Sequence, residues 1–199
     1  MRNKLSNNRK FQRGFTLIEL LVAIVVIGSF GSIVVNIITS AFRGTSKTGV
    51  INTVRENGNY AISEITRKVK YAKSFNGAST DGSDPWTCQV VAAVPSPTPA
   101  QYKAVKTIAF DGTVTTFSCN DSADTPPETI VSNSESLIDT TSVALPAPIP
   151  TFCFFTCQKA SIADSPQVGI NFTLTSKITS GIAEKQSTIP FNTSIKVRN

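Results

Sequence analysis

The apolar residues of this chain are concentrated first in one long run near its N-terminus. Residues 15–42 contain no lysine or arginine, and their single acidic residue is Glu19. At about 1.5 Å per residue, a helix of this length reaches about 42 Å, which exceeds the roughly 30 Å hydrocarbon core of a bilayer. The pattern therefore predicts a hydrophobic helix over residues 15–42 that is able to span a membrane.

Beyond this run the helical pattern continues with a different character. Apolar and small residues recur at steps of three and four, which predicts an amphipathic helix over residues 43–75. On it, Glu64 and Lys68 form a favourable i,i+4 pair worth about 0.2–0.5 kcal/mol. Asn76-Gly77, followed by residues rich in Gly, Ser and Asp, predicts the end of the helix. The apolar stripe consists of Ile51, Val54, Gly58, Ala61, Ile65, Val69 and Ala72.

From about Cys88 onward the periodicity becomes that of β-strands. Residues 105–110 and 113–119 flank Asp111-Gly112, which is a strong signal for a two-residue hairpin. Alternation over residues 170–175 and 189–197 predicts two half-buried strands. A shorter strand is predicted at 142–145, and the prolines within 95–99 and 146–150 predict exposed loops.

The strands need a cover for their apolar faces, and the stripe on the amphipathic helix is the available one. The predicted fold class is therefore α+β. A long N-terminal α-helix, made of a membrane stalk (15–42) and an amphipathic outer half (43–75), packs through that outer half against an antiparallel β-sheet head (76–199).

The formal charge of +6 arises mainly from residues 1–14. This segment has five basic side chains and no acid, and the rest of the chain has 14 basic and 13 acidic residues. Basic residues ahead of an apolar helix keep its N-terminus in the cytoplasm, which places the head on the outer side. Because the charge is accounted for in this way, it is weak evidence for nucleic-acid binding.

The absence of histidine limits the chemistry open to the chain. It removes the most common general base, every Ser-His or Cys-His nucleophile pair and histidine-ligated metal sites. No spacing of acidic residues suggests a paired-carboxylate site. We therefore predict no catalytic residue, no metal site and no cofactor, and we do not expect an enzyme.

The four cysteines all follow the apolar run and so lie on the oxidising side of the membrane under this topology. Two disulfides are expected, and we predict Cys88–Cys119 and Cys153–Cys157 among three possible pairings. The second pair requires residues 154–156 to turn, because an extended strand would hold its Cα atoms about 13 Å apart. If those residues run straight, the two cysteines must pair elsewhere or stay free. A four-cysteine zinc site is a weaker alternative, because only Cys153 and Cys157 are closely spaced.

A short motif joins the basic segment to the apolar run. It reads Arg13-Gly14-Phe15-Thr16-Leu17-Ile18-Glu19. A carboxylate at the centre of a membrane helix costs roughly 2.5–3.5 kcal/mol on insertion scales, so Glu19 is a functional residue by hypothesis and needs a partner.

This motif resembles the processing site of type IV pilins and type II secretion pseudopilins. The resemblance implies that a prepilin peptidase removes residues 1–14 by cutting between Gly14 and Phe15, and that the new terminus at Phe15 is N-methylated. It implies that Glu19 acts in filament assembly, that other subunits bind through the N-terminal helix, and that an assembly platform with its ATPase extracts the chain from the inner membrane. The final residues, 193–199, resemble the last strand of larger minor pilins and J-type minor pseudopilins.

A physical role for Glu19 follows from such a cut. Cleavage creates a cationic amine on Phe15, and that amine could sit against Glu19 of a neighbouring subunit. At about 4 Å, the two charges attract by roughly 4 kcal/mol at an effective dielectric of 20. The pairing would neutralise the carboxylate only inside an assembly and so set the axial register of the subunits.

Four alternatives remain open from the sequence. A signal anchor or a secretory signal cut after Ala41 explains the apolar run but has no use for Glu19. A membrane-anchored surface protein that never polymerises would likewise be indifferent to Glu19. A DNA-uptake pilin would bind nucleic acid through basic residues such as Lys103 and Lys106, although residues 74–199 have 7 basic and 10 acidic side chains.

Overall fold

The computed structural model describes residues 14–91, 99–146, 151–161, 163–177 and 186–197. The chain divides into two compact units, Met1–Thr45 and Ser46–Asn199. A single helix, α1 (Leu17–Lys70), is continuous across this division and has 54 residues. The predicted long N-terminal helix is confirmed, and the predicted loops at 95–98 and 147–150 lie outside the described residues.

Among the described residues, eleven strands follow the helix, and all belong to the second unit. In chain order they are β1 (Ser74–Ser79), β2 (Gln89–Val90), β3 (Gln101–Tyr102), β4 (Ala104–Ile108), β5 (Val114–Asn120), β6 (Thr129–Ser132), β7 (Glu135–Ser136), β8 (Val143–Ala144), β9 (Cys153–Lys159), β10 (Gln167–Ser176) and β11 (Thr188–Lys196).

The strands form two sheets rather than the single antiparallel sheet expected from the sequence. The first has five strands in the order β1-β4-β5-β6-β7, all antiparallel. The second has six strands, with the path β11-β10-β9-β2, and with β3 paired to β9 and β8 paired to β10. Of the pairings between these described strands, the short β2–β9 pairing alone is parallel. The α+β class is confirmed, and the head is a two-sheet structure.

The helix ends earlier than the sequence predicts. It stops at Lys70 instead of residue 75, and Asn76-Gly77 lies inside β1 rather than ending the helix. The chain is captured there by the sheet, because Lys73 donates its N–H to the carbonyl of Ile108 at 2.8 Å. Gly77 has φ +132° at a bulge, and a Cβ there would meet the backbone carbon of Trp86 at 2.7 Å. Gly77 is therefore needed because the Trp86 backbone approaches it closely, and not because it caps a helix.

The β4–β5 hairpin is confirmed, but its turn is longer than two residues. Gly112 donates its N–H to Ala109 at 3.0 Å, and Ala109 donates to Thr113 at 2.9 Å. Phe110 and Asp111 are therefore the central turn residues, and Gly112 follows with φ +85°. This is the three-residue loop in which a residue in the left-handed region forms the bulge.

The β6–β7 hairpin carries a signal that sequence reasoning missed. Asn133 and Ser134 join the strands with φ values of 50° and 71°, as a two-residue turn of the mirror-image type requires. The Asn133 side chain also accepts from the N–H of Thr116 at 2.7 Å and donates to the carbonyl of Val114 at 3.0 Å. It thereby extends the hydrogen bonding of β5 past the end of its partner strand.

The apolar stripe of α1 forms one side of the head's core. Its predicted members are buried, apart from Ile51, which is half-buried, and Val50 joins them. Gly58 lies against the ring of Phe191 in β11, and a Cβ at this position would overlap that ring. Phe191 in turn stacks on Phe172 of β10, with ring centroids 5.2 Å apart. The buried helix residues are Val50, Val54, Gly58, Ala61, Ile65 and Val69.

Polar contacts fix the register of the helix against the head. Asn57 accepts the N–H of Asp139 at 2.7 Å and donates to the carbonyl of Thr53 at 2.9 Å, so both ends of its amide are used. Ser142 and Thr141 donate hydrogen bonds to the carboxylate of Asp139, and these bonds hold the pKa of Asp139 below its ordinary value. The same bonds close the loop formed by residues 139–142. The predicted Glu64–Lys68 pair is present at 3.5 Å, with Arg67 closer to Glu64 at 2.8 Å.

The predicted disulfide pairing is wrong. The structure joins Cys88 to Cys157 and Cys119 to Cys153, with Cα–Cα distances of 4.9 and 5.9 Å. Residues 154–156 run straight inside β9, so Cys153 and Cys157 share one face of the strand but cannot reach each other. Closing loops with separations of 69 and 34 residues stabilises the fold by about 4 kcal/mol each in the chain-entropy view.

The pairing can be checked by non-reducing peptide mapping. Cleavage after Phe154 or Phe155 separates Cys153 from Cys157, and cleavage after Glu128 or Glu135 separates Cys119 from Cys153. We expect the Cys88 peptide to be linked to the Cys157 peptide, and the Cys119 peptide to the Cys153 peptide. A Cys88–Cys119 linkage in folded, unscrambled protein would contradict the two-sheet arrangement.

The contact between Gly58 and Phe191 predicts a strong dependence on side-chain size. Gly58→Ala should lower the free energy of unfolding by about 1–3 kcal/mol, because the methyl group overpacks the helix–sheet contact. Gly49→Ala is the matched control, since Gly49 is an exposed glycine of the same helix with nothing within 4 Å of an added Cβ. It should be neutral or stabilising by up to about 1 kcal/mol. Denaturant unfolding, monitored by the fluorescence of the single tryptophan, Trp86, measures the free energy of unfolding of each variant. Equal free energies of unfolding for Gly58→Ala and Gly49→Ala would refute the contact.

Candidate functional site

The start of the helix places the predicted cleavage site in an accessible position. Gly14, Phe15 and Thr16 precede α1 and are exposed, with Phe15 at 79% exposure. Within the part of the chain that the structure describes, no atom lies within 4 Å of a Cβ built on Gly14. The peptide bond between Gly14 and Phe15 is therefore outside the helix, where a protease needs its substrate to be.

Thr16 caps the helix, a role that sequence reasoning missed. Its hydroxyl accepts the N–H of Glu19 at 3.4 Å, and its carbonyl accepts the N–H of Leu20 at 3.2 Å. The spacing Thr16-x-x-Glu19 is that of a capping box, in which the acid at the third helical position can also reach back to the cap. The signal was readable in the sequence. Glu19 thus donates its backbone N–H to the cap, and its side chain stands at the acidic position of the capping-box pattern.

Glu19 lies exposed in the first turn of α1. Among the described residues, no cation lies within ion-pair distance of its carboxylate. The positive end of the helix dipole favours an acid at this position. A charge partner for Glu19 must nevertheless come from outside the described part of this chain if the carboxylate is to enter an apolar environment.

The surface of the helix around Glu19 is apolar on all sides. Every residue described from 14 to 49 is exposed, and the helix is long and apolar enough to cross a membrane. Water is a poor solvent for such a surface, so lipid or other helices must cover it. Its exposed large side chains include Leu17, Leu20, Ile24, Ile27, Phe30, Ile33, Ile37 and Phe42.

Three hydroxyl groups within this segment are satisfied internally. Ser29, Ser32 and Thr39 each donate to a carbonyl three or four residues earlier, at 2.8 Å. Because these donors already have partners, they do not oppose burial in lipid or against another helix. The carboxylate of Glu19 is the single charged side chain of residues 15–42 that such burial has to accommodate.

Lys103 and Lys106, the two lysines of the nucleic-acid hypothesis, each contact another side chain of the head. Lys103 forms an ion pair with Asp124 at 2.8 Å, and this contact helps to lower the pKa of Asp124. The ammonium of Lys106 lies over the ring of Trp86, 4.6 Å from its centroid. Both cations are thus engaged within the head, which weakens the case for a DNA-binding patch at this position.

The cysteines and carboxylates offer no metal site in the described part of the chain. Cys88, Cys119, Cys153 and Cys157 are all in disulfides, so none supplies a thiolate for zinc. No group of three or more Cys, Asp or Glu side chains among the described residues could hold a metal ion.

Comparison with known proteins identifies the N-terminal segment. Residues 9–35 match the family model described as the prokaryotic N-terminal methylation motif. This chain carries a pilin-type N-terminus. The motif is diagnostic of type IV pilins and pseudopilins, and the long apolar helix of α1 fits it. No curated protein and no solved structure matches the chain significantly.

The pilin-type N-terminus includes Gly14, Phe15 and Glu19, and the β-rich head lies outside the match. The motif supports a type IV pilin-like or pseudopilin subunit, which is a structural rather than an enzymatic class of protein. It implies assembly with other subunits and processing by a prepilin peptidase, and it fits a single-pass anchor in the inner membrane.

Proposed function

We propose that this chain is a structural subunit, a minor pilin or minor pseudopilin, of a type IV pilus or a type II secretion pseudopilus. The observation that carries the proposal is the capped helix start at Thr16, which places Gly14-Phe15 before, and Glu19 just inside, an apolar helix that nothing in the described chain covers. An ordinary anchor needs the apolar surface but not this arrangement at its beginning.

In the first step, prepilin peptidase cuts between Gly14 and Phe15 while the chain is anchored in the membrane, with its head on the outer side. Loss of residues 1–14 removes five basic side chains and leaves a cationic amine on Phe15. Methylation of that amine keeps its charge. The anchor then has a positive terminus four residues before a negative side chain.

In the second step, the amine of one subunit pairs with Glu19 of its neighbour. The attraction of roughly 4 kcal/mol at an effective dielectric of 20 is available only when both charges leave water together. In other registers the two charges would be left unpaired against apolar side chains, so the pair selects one axial position. The remaining apolar surface passes from contact with lipid to contact with other helices, which changes its free energy little.

The head is then displayed outside the helical bundle. The two disulfides and the burial of the α1 stripe keep it folded independently of the bundle's state. An assembly platform and its ATPase supply the extraction from the membrane in this scheme. What the head contacts outside determines the particular role of the filament.

The processing step predicts a defined mature protein. Chain isolated from its native cells should begin at N-methylated Phe15, because Gly14-Phe15 is exposed and precedes the helix. Intact-mass measurement with N-terminal sequencing checks this, and Gly14→Leu, which changes the residue before the cut, should retain the leader. Native protein that still carries residues 1–14, or that begins near Ser40–Phe42, would contradict the proposal.

The assembly step predicts a dependence on the charge of Glu19 and not only on its capping. Glu19→Gln can still serve a capping box, whereas Glu19→Ala cannot, so the two variants separate the roles. We expect both to reduce incorporation at least about tenfold, since both lose the ion pair. The measurement is the ratio of filament-associated to membrane-bound protein in cells.

Glu56→Gln serves as the matched control for this test. Glu56 is an exposed acid of the same helix outside the motif, and its loss should leave incorporation unchanged. Normal incorporation of Glu19→Gln beside defective Glu19→Ala would show that only helix capping matters. The charge-pairing step would then be wrong.

A further inference from the structure

The outer face of the six-stranded sheet carries an open groove of about 550 Å³. It lies where β3, β9, β10 and β11 adjoin, on the side of the sheet opposite the core residues Phe155, Ile170 and Phe172. We call it the amide groove and define it by Gln101, Phe154, Thr156, Asn171, Asn192 and Ser194.

Strand register arranges these side chains in two rows. Gln101 pairs with Thr156, which pairs with Gly169, which pairs with Ser194. The second row runs from Phe154 through Asn171 to Asn192. Neighbouring strands lie about 4.8 Å apart, so polar groups recur at that interval across the groove.

Gly169 makes room for the Thr156 side chain in the middle of the first row. A Cβ at this position would overlap the hydroxyl of Thr156. The absence of a side chain there leaves room for the Thr156 hydroxyl to lie over the buried glycine, with the amide of Asn171 3.6 Å from the Cβ position. A ligand therefore meets the Thr156 side chain at this point and not the backbone of Gly169.

The hydrogen-bonding capacity of the amide groove is unused. Among the described residues, the side chains of Gln101, Asn171 and Asn192 form no hydrogen bond with the protein. Each amide offers two donors and an acceptor, so it can bond a hydroxyl group that both donates and accepts. Thr156 and Ser194 add two hydroxyls at the rim of the same surface.

None of the residues that line the groove is charged. A phosphate, a nucleic acid or an acidic peptide would lose its hydration without gaining a counter-charge, which is unfavourable. The groove therefore suits a neutral ligand rich in hydroxyls. Binding of this kind should also depend little on salt, unlike binding to nucleic acid.

Phe154 supplies the apolar part of the surface. Its half-buried ring lies beside Asn171 on the otherwise polar face, whereas its chain neighbours Cys153 and Phe155 point into the core. An aromatic ring has a negatively polarised face that attracts C–H groups. Sugars combine hydroxyl edges with C–H faces, so a ring next to free amides matches both parts of a sugar.

We propose that the amide groove binds a neutral saccharide, such as a stretch of an uncharged surface polysaccharide. One sugar ring stacks on Phe154, and the hydroxyls of this ring and the next bond Asn171, Asn192 and Gln101. The proposal concerns the head alone and does not depend on polymerisation. A subunit bearing this site would attach its assembly to glycan.

The test uses the full chain in phosphocholine micelles, which avoid the sugar headgroups of glycoside detergents. The probes are an array of neutral oligosaccharides (glucans, mannans, galactans and xylans), with heparin fragments and single-stranded DNA as charged comparisons. We expect binding of at least one neutral class, with little change between low and physiological salt. Binding of no neutral probe, or binding of charged probes only, would overturn the proposal.

Variants locate the site. Asn171→Ala with Asn192→Ala should weaken neutral-saccharide binding at least about tenfold, because several hydrogen bonds are lost. Phe154→Leu keeps an apolar side chain of similar reach and should also weaken binding through loss of the aromatic face. Asn59→Ala removes an exposed amide from α1 and is the matched control.

Circular dichroism and disulfide mapping of each variant confirm the fold before binding is compared. Undiminished binding by both groove variants would place the ligand elsewhere and refute this site. Loss of binding by Asn59→Ala as well would refute it equally. Filament assembly by the groove variants should remain normal, which separates failure of this proposal from failure of the assembly role.

Discussion

The head depends on burial of one helix face beneath two sheets. Without the helix, each sheet would expose its apolar side to water. The stripe of α1 joins residues of both sheets in one core, including Phe117 of β5 and Phe191 of β11. Gly58 permits the close approach that this requires, and Asn57 fixes the rotation of the helix through Asp139. The helix is therefore a structural member of the head as well as its attachment.

In its first half the same helix is uncovered, because apolar side chains surround it and none of them is buried against the described chain. A membrane and a bundle of like helices both satisfy that surface, so an assembly can exchange one for the other at small cost. Specificity must then come from polar groups, because apolar contacts tolerate many registers. Glu19 is the charged group in residues 15–42, while the hydroxyls of Ser29, Ser32 and Thr39 are already occupied.

Strand β9 links the parts of the head that carry different roles. Cys153 and Cys157 project to one face of it and hold Cys119 of the five-stranded sheet and Cys88 beside β2. Phe154 and Thr156 project to the other face and enter the amide groove. The alternation of a single strand thus places covalent bracing beneath the groove, where a binding surface benefits from a rigid support.

Local physics determined much of this protein from its sequence alone. Uniform hydrophobicity, the three-and-four spacing of Val54, Gly58 and Ala61, and the alternation of Ile170 and Phe172 each report a neighbourhood of a few residues, and these elements agree with the structure. The N-terminal motif is likewise contiguous, and Thr16-x-x-Glu19 was readable in it. Tertiary structure alone decided which strands share a sheet, how the cysteines pair and where the helix stops, because these depend on partners far along the chain. Lys73 meets Ile108, Cys88 meets Cys157, and Asn171 meets Asn192 only after the sheets have formed.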